Sequence, residues 1–110
     1  MSIDCLGEVK KIKDLVKYQE DAVVSRTLLN HEAGTVTLFA FGEGQGLSEH
    51  TAPYEALVYI IDGEALITID GVTHEAKSGE IIILPADHPH SLTAKKPFKM
   101  MLTMVRGKTS

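Results

Sequence analysis

The chain has 110 residues, 44% of them hydrophobic and 24% charged, with a formal net charge of −4. That length supports one buried core rather than two, and the composition is that of a globular chain, not a disordered one. Its eleven Lys and Arg residues are scattered, whereas tracking a phosphate backbone needs them clustered, so nucleic acid is not an expected partner.

The N-terminal stretch carries the densest basic run, Lys10, Lys11 and Lys13, but Asp4, Glu8 and Asp14 flank it and it reads as a solvated face. The single cysteine, Cys5, has no internal disulfide partner, which fits a reducing cytosol. No charged start leads into an apolar stretch, and no run nears the ~18 apolar residues of a membrane span, so a soluble, cytoplasmic protein with no membrane partner is expected. Val9, Ile12, Leu15 and Val16 fall at helical offsets. Residues 1–22 are therefore expected to form an arm or short helix, 23–106 an all-β domain, and 107–110 a tail.

From Val23 the pattern changes to short β-branched and apolar runs separated by Gly, Asn, Asp and Pro. Strands are expected near 23–29, 35–41, 46–51, 56–62, 64–69, 72–76, 80–84, 88–94 and 98–105. Asp70-Gly71 and Asp62-Gly63 supply hairpin turns, since both positions of a tight turn take positive φ. The runs Leu57–Ile61 and Ile81–Leu84 do not alternate with polar residues, so both faces should be covered. The outer cover would be a second sheet, the N-terminal arm or another subunit, and a homodimer is the simplest of these. Val58, Ile60, Ile83, Leu92, Phe39, Met100, Met101 and Met104 are candidates for core and pocket wall.

Two segments carry a spaced pattern. In the first, Gly44 is followed by five residues and His50; Ala52 and Ala56 come next, and six residues after Ala56 stands Gly63. In the second, Gly79 is followed by five residues and Pro85, then by Asp87, His90 and Ala94. This frame resembles the two motifs of the cupins, Gly-x5-His-x-His-x3,4-Glu-x6-Gly and Gly-x5-Pro-x-Gly-x2-His-x3-Asn. The resemblance spans residues 44–94 and implies a cupin-type double-stranded β-helix, or jelly-roll barrel, with a ligand pocket in its mouth. It also implies one divalent transition metal (Fe, Mn, Ni, Cu or Zn) held by three imidazoles and a carboxylate. Only His50 and His90 remain of those ligands, with Ala52 and Ala56 in the other two places, and two ligands seldom hold a metal tightly.

Two neighbours offer compensation. Glu55 lies one position before the expected carboxylate, so it faces inward only if a bulge after Pro53 turns it. His88 lies two positions before His90, on the same face if the segment is extended, and Pro89 favours that. The expected ligand-binding set is therefore His50, Glu55, His88 and His90, with His50 and His90 as metal ligands. His31 and His74 read as structural or exposed, and Gly42–Gly46 as a turn. Three functions compete: a small-molecule binding barrel without redox chemistry, which is preferred; a metal-dependent isomerase or dioxygenase with a reduced ligand set; and a metal-free acid/base enzyme using an imidazole. No residue selects a substrate.

Overall fold

A computed structural model of the protein describes residues 6–106; Cys5 and the 107–110 tail lie outside the described residues. The described residues form nine strands: β1 (Val23–His31), β2 (Gly34–Phe41), β3 (Gly46–His50), β4 (Glu55–Asp62), β5 (Glu64–Ile69), β6 (Val72–Lys77), β7 (Ile81–Leu84), β8 (His90–Thr93) and β9 (Phe98–Val105). They form two antiparallel sheets, one in the order β1-β2-β9-β4-β7 and the other β3-β8-β5-β6. Non-sequential neighbours in both sheets give the jelly-roll topology.

Side chains alternate between the sheet faces, and those turned inward build one core. Phe41, Phe98, Met100, Ile60, Val58, Ile67, Leu84 and Leu92 are buried there. The Phe41 and Phe98 rings stack at 4.5 Å between centroids with 14° between planes, an aromatic pair that adds about 0.5–1.5 kcal/mol beyond its burial.

Ile83 is a correction. It stands 56% exposed and Ile81 58% exposed, while Leu84 is buried and Ile82 packs on the core. Every position of that run is apolar, so alternation alone leaves the inward phase undetermined by one residue. Met101 likewise faces outward, packing in a second cluster outside the barrel.

That outer cluster answers part of the covering problem. Val16 is buried with Leu38, Ala40 and Ile61, and Ile12 and Leu15 pack beside it, so the arm lies on the outer face of the five-stranded sheet. The arm's helical rhythm yields only one 3-10 turn, Ile12–Asp14. Lys99 Nζ donates to the Lys13 carbonyl at 2.7 Å and Arg26 Nη1 to the Leu15 carbonyl at 3.1 Å. The Tyr18 hydroxyl donates to Asp62 Oδ2 at 2.6 Å. Burial and this bond push the Tyr18 hydroxyl well above its ordinary range, and the same bond holds the Asp62 carboxyl below its own. The arm does not reach over β7, whose outward side chains stay exposed.

Turn chemistry explains the glycine frame of the two motifs. Gly63 has φ +78°, and a Cβ there would meet the Pro97 carbonyl oxygen at 2.4 Å, so only glycine fits. Asp87, standing where the family pattern has glycine, keeps the left-handed backbone at φ +64°; Asp tolerates that region better than most residues. Its N–H donates to the Ala52 carbonyl at 2.8 Å, tying the β7–β8 loop to the β3–β4 loop. Among the described residues no helix is long and apolar enough to cross a membrane.

Candidate functional site

The C-terminal end of β3 and the start of β8 lie side by side, and an irregularity there determines which residue faces the interior. Leu47 pairs with Leu92, but the next pair is His50 with His90, so β3 spends one residue more than β8. A regular ladder would have set Glu49 opposite His90; the bulge sets His50 there instead. Ile69 of β5 lies across from His90 on the other side, and it packs on the core, so the row faces inward. His90 is 5% exposed, the one polar residue in the buried set among the described residues.

The two imidazoles meet edge to face, with centroids 4.4 Å apart and 72° between planes. His50 Nε2 and His90 Nε2 are 3.2 Å apart. At their far ends His50 Nδ1 lies 2.8 Å from the Ser48 carbonyl oxygen and His90 Nδ1 3.1 Å from the His88 carbonyl oxygen. A carbonyl only accepts, so each Nδ1 carries the proton, and in a neutral imidazole the Nε2 is then a bare acceptor. The neutral pair thus turns two lone pairs toward one point. Burial holds His90 below the ordinary imidazole range against the opposing bond to His88, which disfavours a further proton on the inner ring.

The other two expected residues are not brought to this point. Glu55 is exposed at the start of β4. The strand runs regularly there, with Glu55 opposite Val105 and Ala56 opposite Met104, so the bulge that would have turned Glu55 inward is absent from those pairs. His88 sits in the β7–β8 loop with its side chain 52% exposed, and its Nδ1 donates to Asp70 Oδ2 at 2.6 Å. Residue 88 is a bend rather than extended strand, so period-two alternation does not carry its ring to the face of His90. A surface hollow of about 470 Å³, lined by Glu64, Leu66, Thr73, Glu75, Lys95 and Lys96, lies elsewhere, on β5, β6 and the β8–β9 loop. Neither His50 nor His90 lines it, so the hollow is separate from the histidine pair.

Residues 37–106 match the family model of the cupin domain. The chain belongs to the cupin family. A cupin 2 conserved barrel domain protein from Leptotrichia buccalis is 37% identical, with a TM-score of 0.83 over 86% of this cupin and 46% of that chain. A conserved protein of unknown function from Streptococcus pyogenes is 34% identical, with a TM-score of 0.88 over 94% of this chain and 90% of its own. Dimethylsulfoniopropionate lyase DddW of Ruegeria pomeroyi is 33% identical over 54 residues, 49% of this chain, and this cupin spans only 36% of the lyase.

The metal that the cupin motifs imply can be tested against this donor set. Two imidazole nitrogens on one tetrahedral ion stand roughly 3.3 Å apart when each bond is about 2.0–2.1 Å, and the 3.2 Å of the pair matches. The remaining corners do not: Ala52 and Ala56 offer methyl groups, and among the described residues no three His, Cys, Asp or Glu side chains gather to hold an ion. Two nitrogen donors fall short of the three or four that a resident ion needs.

Proposed function

We propose that this cupin binds a small molecule at the barrel mouth, with a hydrogen-bond donor of the ligand seated between His50 Nε2 and His90 Nε2. One observation carries the reading: both Nδ1 atoms are tied to backbone carbonyls, which leaves two acceptors converging at 3.2 Å. Facing lone pairs repel, and a ligand N–H or O–H placed between them relieves that while satisfying both. Ile69, opposite His90, packs on the apolar core that also holds Leu84, Leu92 and Ala56, and an apolar setting with a few polar groups is the usual one for fixing a ligand's orientation. The lyase activity of the Ruegeria relative rests on under half of this chain and is not carried over.

A thermal-shift panel of small alcohols, sugars, amines and acids tests this. A compound that stabilises the native protein should lose its effect in both His50→Ala and His90→Gln. Compounds that stabilise all three proteins equally would overturn the assignment. A second copy of the chain is the proposed protein partner, covering the outward side chains Ile81 and Ile83 of β7, which the arm leaves exposed.

A further inference from the structure

Asp70 opens the β5–β6 turn with φ +51°, followed by Gly71 at +79°, and it reaches across to the segment that leads into His90. Its backbone N–H donates to the Pro89 carbonyl at 3.0 Å, and its Oδ2 accepts from His88 Nδ1 at 2.6 Å. Both bonds hold residues 88 and 89 against the turn, and the His88 carbonyl so held accepts from His90 Nδ1 at 3.1 Å.

The tautomer of an imidazole is chosen by what its other nitrogen meets, and a ring whose Nδ1–H has lost its acceptor is free to carry the proton on Nε2 instead. For His90 that difference decides whether Nε2 accepts or donates at the site. We propose that Asp70 and His88 form a clasp that positions the His88 carbonyl, and through it sets the tautomer and aim of His90. Both are positioning residues, and their meaning for binding rests on the function proposed above. The short carboxylate–imidazole bond adds a second tie that the hairpin turn does not need, since glycine or asparagine would make the turn equally well.

The choice of substitution follows from the turn. Asp70→Gly keeps the positive φ and the backbone N–H while removing only the carboxylate; Asp70→Asn keeps an acceptor oxygen; His88→Ala removes the ring from the other side and keeps the carbonyl. The measurement is the imidazole 15N–1H spectrum of each full chain near pH 7.5, with no ligand added. In the native protein His90 should show a protonated Nδ1 and a bare Nε2. Asp70→Gly and His88→Ala should each shift His90 Nε2 toward the protonated position, the double variant should shift it no further than either alone, and Asp70→Asn should restore the native signal. If His90 keeps its native 15N signals in both Asp70→Gly and His88→Ala, the clasp is overturned. Should Asp70→Gly fail to fold, His88→Ala alone decides it in the same way. Because the readout needs no ligand, a clasp that fails and a binding site that fails are separate results.

Discussion

His50 and His90 face each other Nε2 to Nε2 at 3.2 Å, one ring exposed at the barrel mouth and the other buried. The inner ring resists charging, with burial the leading cause. A histidine whose folded pKa lies below its unfolded value binds fewer protons folded than unfolded in that window, so stability rises with pH there. The contribution should be fully present above the unfolded value of about 6.5 and fall away as pH drops below it. Melting temperatures of the native protein should therefore decline between pH 7.5 and 5.5, and His90→Gln should flatten that decline. An equal decline in both proteins would place its cause elsewhere.

Restoring the family's ligands gives a prediction in the opposite direction. Ala52→His with Ala56→Glu adds an imidazole and a carboxylate beside the pair. Calorimetry should show Zn or Ni binding at least about tenfold tighter than in the native protein, a gain of roughly 1.4 kcal/mol. Ala56 is buried against Leu84 and Met104, so the larger side chain should also cost about 1–3 kcal/mol of stability. Weak binding in both proteins would mean that Ala52 and Ala56 do not face the pair.

Phe98 is fully buried and stacked on Phe41. Phe98→Ala should destabilise the fold by about 3–5 kcal/mol, read from urea unfolding with an unchanged slope. A loss below about 1 kcal/mol would show that the site relaxes around the cavity.

Ile81 and Ile83 predict association. β7 is a four-residue edge strand with two exposed isoleucines on its outward face, a surface that solitary chains usually blunt with charge. Light scattering at micromolar concentration should report twice the 12.0 kDa chain mass, and Ile81→Lys with Ile83→Lys should return it to 12.0 kDa. A native monomer would remove the proposed partner.

Much of this architecture was legible in the sequence because period-two patterning and turn residues are local signals. All nine strands fall within about two residues of their expected places, and the motif glycines mark where the backbone must take positive φ. The Ile81–Leu84 phase was not legible, since four consecutive apolar residues fit either face. The bulge at Ser48–Glu49 was also hidden: alternation from Leu47 points Glu49 inward, and only the motif spacing marks His50. The role of His88 was masked for a related reason. Two-residue spacing says where a strand would point its ring, but the loop bends there and a carboxylate 18 positions away captures it.

The proposed ligand site requires His50 and His90 to present two unprotonated Nε2 atoms to one ligand. The direct measurement is the imidazole 15N spectrum of the native protein near pH 7.5, recorded without and then with a compound that stabilises it thermally. Both rings should show protonated Nδ1 and bare Nε2 signals, and both Nε2 signals should shift when the compound binds. A proton resident on either Nε2 before ligand is added, or a compound that shifts neither ring, would contradict the proposed site.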